Sequence, residues 1–326
     1  MGAKPLTPPR RDRIVVIGRR RAGKTIYLAR LYEALWQGCK LVDGKAAVAG
    51  ESTEGRRVVE VSCRATSGAA HTQFMKVIQE LRAGRWPAAT IGNSYAELIV
   101  TYGGRERVLT ALDYPGEVFR KAFMNDSDDP DAVELLAAID RAAAAIFLID
   151  PAVVAAGGEE SYEDTFGLTQ AASRIRSGRD GTDVPIAVVF TKADVNRALL
   201  REAGGVREFA FKHFGQMFRS VERTSVFPTA AVRVAENGLG RSVPRADKPA
   251  ENVVEPLRYC FEMMDSGDAK ARIREAQQLQ AEAEAVALDN EVGEKRRTTN
   301  AWVIFIIAVI ALFAVVGLAT WSAVSK

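Results

Sequence analysis

Histidine and cysteine are scarce: 326 residues hold two of the first, His71 and His213, and three of the second, Cys39, Cys63 and Cys260. None of the five stands at metal-ligand spacing, which excludes a His- or Cys-based metal centre. An odd, scattered set of cysteines also excludes a disulfide framework and suits a reducing compartment, with the thiols serving as small buried side chains. Charge of one sign is lacking too. Forty-four basic residues face 41 acidic ones for a net +3, so nothing global argues for nucleic acid or an acidic polymer as partner. An apolar leader is missing from the N-terminus, and Leu6 stands where a myristoylation pattern needs Ser or Thr. Residues 1–12 read as a basic, proline-rich disordered arm.

What the N-terminus lacks, the other end has. From Ala301 to Ala319 no residue is charged, and a run of about 20 apolar residues is what a helix needs to cross the hydrocarbon core. Trp302 and Trp321 bracket the run and Lys295, Arg296 and Arg297 precede it, which predicts a transmembrane helix at 300–323 with the bulk of the chain on the cytoplasmic side. A tail of 324–326 follows, so the pattern is that of a tail-anchored protein. Residues 266–299 are rich in Ala, Glu, Gln, Lys and Arg. They predict a helical, charged stalk, either a semi-rigid spacer or a short coiled coil.

The rest of the chain turns on Gly18-Arg19-Arg20-Arg21-Ala22-Gly23-Lys24-Thr25, a complete G-x-x-x-x-G-K-[ST]. It follows the apolar run Ile14-Val15-Val16-Ile17 and precedes a helical pattern from Ile26, the context of a phosphate-binding loop. There the backbone N–H groups of Gly18, Ala22 and Gly23 and the positive end of the helix would face nucleotide phosphates. Lys24 would reach the β- and γ-phosphates, and the Thr25 hydroxyl would take one position on Mg2+.

Downstream, Phe74, Val77, Ile78 and Leu81 recur at helical spacing and predict a helix over 66–83. It lies in an insertion at about 40–85 that also has strand character at 57–61. Two strands, 95–102 and 107–112, flank the turn signal Gly103-Gly104. The second runs into Asp113-Tyr114-Pro115-Gly116-Glu117, a D-x-x-G at a strand end. Asp113 can hold Mg2+ through water and the Gly116 N–H can bond a γ-phosphate. Thr90 lies 113 − 90 = 23 residues upstream, the spacing at which Ras-like GTPases place the switch threonine that supplies the second hydroxyl on the metal. A loop threonine capping a turn is the other reading of Thr90. The acidic loop 125–131 lacks the glycine and glutamate of a calcium loop and reads as a helix start. A helix is expected over 132–145, then a buried strand Ile146-Phe147-Leu148-Ile149 ending at Asp150-Pro151.

A further strand, 185–190, leads into Thr191-Lys192-Ala193-Asp194, which resembles the [NT]-K-x-D base-specificity motif of GTPases. Asp194 can accept from the N1–H and exocyclic amine of guanine, and adenine offers no such pair of donors. The Lys192 stem would lie over the base. Strand 225–228 then leads to Thr229-Ala230-Ala231, similar to the loop whose backbone supports guanine O6, and a helix over 253–264 would close the domain.

The ordered set of phosphate loop, D-x-x-G and T-K-x-D resembles the P-loop GTPases of the Ras-like and translation-factor-related superfamily. More narrowly, the loop, the insertion ending at Trp86-Pro87 and Thr90, the D-Y-P-G-E and the strand ending Ile149-Asp150-Pro151 look like bacterial double-GTPase-type domains. That family is associated with multi-gene GTPase systems, some proposed to act in biological conflict. The resemblance covers about 13–264 and departs from the family in having one G domain, with no room for a second after Met264. It implies an α/β fold with a doubly wound, mainly parallel sheet over 13–265, and GTP or GDP with Mg2+ as cofactors. Glu117 stands where Ras-like enzymes carry a water-orienting glutamine. Arg21 stands where guanylate-binding proteins carry an internal arginine finger, the alternative being that Arg19, Arg20 and Arg21 face solvent or a partner.

Two functions stay open at this stage. One is a membrane-anchored switch that hydrolyses GTP and signals to a protein partner, with nucleotide-dependent homodimerisation allowed; Arg21 favours it. The other is a GTP-binding receptor subunit or scaffold that hydrolyses little; Glu117 favours that. ATP hydrolysis is disfavoured by Asp194.

Overall fold

The computed structural model describes residues 13–19, 21–42, 45–46, 58–88, 96–112, 116–125, 129–177, 184–218, 223–236, 242–245 and 248–267. The arm, nearly all of the stalk, the apolar span 300–323, Thr90 and Asp113 lie outside these residues. Among the described residues no helix is long and apolar enough to cross a membrane.

The chain begins with β1 (Arg13–Gly18), α1 (Lys24–Leu35), β2 (Cys39–Val42), β3 (Lys45–Ala46), β4 (Val58–Ala65) and α2 (Gly68–Arg82). Next come β5 (Ala96–Tyr102), β6 (Arg105–Leu112), α3 (Gly116–Arg120), a π-helical turn Lys121–Asn125 and α4 (Pro130–Asp140). β7 (Ala142–Ile149), α5 (Pro151–Ala156), α6 (Gly158–Arg176), β8 (Ile186–Phe190), α7 (Arg197–Glu202) and α8 (Val206–Phe214) follow. β9 (Thr224–Pro228), the hairpin β10 (Val234–Glu236) and β11 (Ser242–Pro244), and a last helix α9 at 255–267 complete the described chain.

Nine strands form one sheet in the order β3-β2-β4-β5-β6-β1-β7-β8-β9. From β6 to β9 neighbours run parallel, while the pairs β5–β6, β4–β5, β2–β4 and β2–β3 are antiparallel. The expectation of a mainly parallel sheet is therefore corrected: half of these eight pairings are antiparallel. The reason is the insertion, which is not simply helical. It adds β2, β3 and β4 beyond β5 before α2 crosses back onto α1.

β1 sits near the centre with every residue from Ile14 to Gly18 buried, as a strand covered on both faces must be. Alternation along it divides the core. Ile14 and Val16 face one hydrophobic cluster with Tyr27, Leu28 and Leu31 of α1, Ile78 of α2 and Phe261 of α9. Val15 and Ile17 face the other, with Leu135 of α4, Leu168 of α6 and Phe209 of α8. The three thiols are unpaired, and burial pushes Cys63 up to about 12, so they are inert packing groups.

One boundary departs from expectation. The helix expected over 132–145 ends at Asp140, and Ala142 to Ala145 already belong to β7. Four alanines favour helix locally, but here they pair with β1 on one side and, through Ala145, with β8 on the other. Burial between parallel neighbours overrides the propensity. At the other end of that helix Asp129 accepts from the Asp131 and Ala132 amides as N-cap and takes a bond from Lys121, so the acidic loop is a helix start as expected.

Candidate functional site

Gly18 ends β1 where the backbone comes closest to β7: a Cβ there would lie 2.6 Å from the Leu148 carbonyl oxygen. Only glycine lets the strand turn out of the sheet at that point. The loop then closes on itself, with Ala22 N–H donating to Arg19 O at 3.1 Å. Arg21 and Gly23 adopt left-handed φ of 71° and 87°, and α1 starts at Lys24. Lys24 is 5% exposed, yet its ammonium donates to the carbonyls of Gly18 at 2.5 Å and Arg19 at 2.8 Å. It is thus folded over its own loop, with Thr25 half-buried beside it in the first turn of α1. The first four N–H groups of a helix have no intrahelical partner, and Gly23 offers no side-chain cap. That leaves a ready anion cradle.

Arg19 does not face solvent. It donates to Glu160 O at 2.8 Å and Glu163 Oε2 at 2.7 Å, and lies 3.5 Å from Asp164 Oδ1, all on α6. Burial raises the Asp164 carboxyl to about 6, against the pull of Arg19 and Lys24 and with the push of Glu160 and Glu163. Arg21 is exposed and lines a cleft of about 480 Å3 with Ala22, Asp150, Asp164 and Lys192. The cleft joins the phosphate loop to the T-K-x-D loop, two motifs whose starts lie 191 − 18 = 173 residues apart and that the sheet brings to one edge.

The T-K-x-D loop leaves β8 with Thr191 buried, its N–H donating to Ile149 O at 2.8 Å. Lys192 takes a left-handed φ of 52° and donates to Asp150 Oδ2 at 2.5 Å. Asp150 also caps α5, accepting from Ala152 N–H at 3.1 Å. Ala193 N–H donates to Thr229 O at 3.1 Å, which ties this loop to Thr229-Ala230-Ala231. Asp194 is the decisive residue. Its side chain is 8% exposed and its Oδ1 is buried with no hydrogen-bond partner among the described residues. A buried, ionisable acceptor left empty is costly unless a ligand fills it, and guanine carries the matching donors.

Gly116 and Glu117 open α3 directly after the D-x-x-G strand β6. Four site residues were not foreseen: Asp150, Asp164, Asn196 and Arg233. Asp150 had a signal, since an acid before proline is a helix-start pattern. Asn196, which donates to Asp150 Oδ1 at 3.5 Å, and the other two meet the site through tertiary contacts.

The double-GTPase 2 family model matches residues 12–243. The chain belongs to that family. Its fold is that of a GTP-binding P-loop GTPase. No curated protein matches the chain. Among solved structures, an ADP-ribosylation-factor-like GTP-binding protein, the small COPII coat GTPase SAR1 from Encephalitozoon cuniculi in complex with GDP, aligns at 11% identity over 81% of this chain and 84% of that one. The TM-score is 0.38, a likeness too loose to carry any inference.

Proposed function

We propose that this double-GTPase-family protein is a membrane-anchored switch that hydrolyses GTP with Mg2+ and signals its nucleotide state to a protein partner. The observation that carries the guanine assignment is the buried, unpartnered Oδ1 of Asp194 at the same sheet edge as Lys24. Lys24, already held over the phosphate loop, would neutralise phosphate charge, and the loop N–H groups would orient it. Thr25, with Thr90 and Asp113 from the sequence, would hold Mg2+, which supplies further neutralisation of the transferred phosphoryl group.

Arg21 is the hydrolysis candidate. It is exposed on the loop and its left-handed backbone turns it into the cleft, in keeping with an arginine that stabilises transition-state charge from within the chain. Glu117 supports a second reading, because a carboxylate at the water-orienting position adds negative charge near the γ-phosphate. On that reading the protein holds GTP and hydrolyses little, as a receptor subunit or scaffold. Membrane attachment rests on the apolar span 300–323 and the basic residues before it, which favour a cytoplasmic G domain. A nucleotide-dependent homodimer is compatible with the same surface.

Competition of unlabelled nucleotides against fluorescent GDP, followed by single-turnover GTP hydrolysis, tests both halves. GDP and GTP should displace the probe and ADP should not. Lys24→Ala should weaken binding by at least about tenfold through loss of a charge-assisted contact to phosphate. Turnover that is unchanged in Arg21→Ala removes that arginine from catalysis. Turnover indistinguishable from buffer in the parent protein selects the scaffold. Flotation with liposomes, lost when 300–323 is replaced by a polar linker, tests the anchor.

A further inference from the structure

Among the described residues, Asp194 is held from one side: its Oδ2 lies 3.8 Å from Arg233 Nη1, while Oδ1 has no partner. Arg233 follows the Thr229-Ala230-Ala231 loop and precedes β10. Its carbonyl accepts from Arg245 N–H at 2.8 Å, so the small β10–β11 hairpin holds its backbone. Its second guanidinium nitrogen is paired with the carboxylate of Glu251. Glu251 in turn exchanges two backbone bonds with Ala230, 2.9 Å and 3.2 Å. With Ala193 N–H on Thr229 O the chain of contacts closes into a ring: Asp194, Arg233, Glu251, Ala230, Thr229, Ala193.

We propose that Arg233 is a positioning residue for guanine recognition, fixing the Asp194 carboxylate so that Oδ1 meets the donors of the base. The inference rests on the guanine-nucleotide reading above and adds to it the group that sets base selectivity. An aspartate side chain turns freely about two bonds. A planar guanidinium clamped between two carboxylates removes that freedom. Because Glu251 is bound to Ala230, the clamp also fixes the distance between Asp194 and the loop that would support O6, next to N1–H on the same edge of the base. Two recognition elements from different parts of the chain are thereby set in one frame, which is what discrimination by paired polar groups requires. The hairpin, which adds nothing to the main sheet, acquires a purpose as the mount for Arg233.

Inosine diphosphate lacks the exocyclic amine of guanine and keeps everything else, so the ratio of GDP to IDP affinity reads this geometry alone. The experiment measures dissociation constants of GDP, IDP and ADP for the full chain and for Arg233→Met, Arg233→Lys and Glu251→Gln, with thermal melts beside them. The parent should prefer GDP over IDP by about tenfold or more, the usual gain from filling a buried charged acceptor. Arg233→Met should lower that ratio at least about fivefold while IDP affinity, dominated by phosphate contacts, moves little. Arg233→Lys should restore part of the ratio. Glu251→Gln, which keeps the arginine and loosens its mount, should fall between and serves if Arg233→Met does not fold. A preserved preference for GDP over ADP with an unmoved GDP/IDP ratio in the variants overturns the proposal alone. Tighter GDP binding by Arg233→Met also overturns it, since the arginine would then compete with the base for Asp194. A parent protein indifferent between GDP and ADP overturns the guanine reading itself.

Discussion

Phe119 of α3 lies against Gly167 of α6 so closely that a Cβ on the glycine would come within 2.7 Å of the ring. The contact sits one turn beyond the D-x-x-G strand, in the segment that a γ-phosphate sensor would move. Arg120, the next residue, reaches Glu163 of α6 at 3.7 Å, and the same carboxylate accepts from Arg19 of the phosphate loop. α6 therefore touches both the loop that would hold phosphate and the helix that would report on it. Phe119 also packs on Phe123 with ring centroids 5.1 Å apart, which extends the contact into the π-helical turn.

Gly167→Ala follows from that geometry. The new methyl would overlap the Phe119 ring, and the half-buried phenyl can yield only by leaving α6. Overpacking of this kind costs about 1–3 kcal/mol. Hydrogen exchange at 116–125 should speed up while GDP affinity stays at the parent value, because the phosphate loop is untouched. Unchanged exchange in that segment would mean that Phe119 does not hold α3 in place.

Asp164 predicts a pH dependence. Its folded-state value, about 6, lies above the ordinary 3.8, chiefly through burial. A raised value means that the protonated form is favoured by folding. The contribution is complete below about pH 4 and is lost as pH rises through about 6. Asp164→Asn stays neutral throughout, so urea unfolding should show the variant gaining on the parent between about pH 4 and pH 7. The gain should be about 1 kcal/mol after the lost Arg19 ion pair and solvent screening are allowed for. Parallel pH profiles for the two proteins would refute it.

Local chemistry explains which parts of the site can be read along the chain. The left-handed Gly23, the bond from Ala22 N–H to Arg19 O and Lys24 folded over Gly18 and Arg19 each depend on neighbours a few residues away, so this part of the motif carries its own geometry. Ala142 to Ala145 show the opposite case: their strand state depends on β1 and β8, far off in sequence, and alanine by itself argues for helix. β4 showed as strand character at 57–61, whereas β2 and β3 stayed hidden, since short strands in a polar insertion have little alternation to betray them. Arg233 and Asp164 are ordinary charged residues until the fold sets each beside a residue tens or more than a hundred positions away.

Gly18 and Gly23 are both invariant positions of the loop pattern, but the structure gives them different tasks, and substitution should separate them. At Gly18 the φ is ordinary and the obstacle is the Leu148 carbonyl 2.6 Å from where a Cβ would stand. That carbonyl belongs to β7, in register with Gly18, so relief requires parting two central strands. Gly18→Ala should therefore cost about 2–4 kcal/mol, the range of a severe backbone clash in the core. At Gly23 nothing stands within 4 Å of the added methyl, and the only intrinsic penalty is the left-handed φ of 87°, about 1 kcal/mol. On the proposed reading, Gly23 belongs to the loop whose backbone approaches phosphate, so a methyl there would intrude on the ligand rather than on the protein. Gly23→Ala should keep most of its stability and lose GDP affinity by at least about tenfold, the value of one charge-assisted contact. Chemical unfolding and GDP titration of the two variants check the contrast, and equal losses of stability would show that the glycines do the same job.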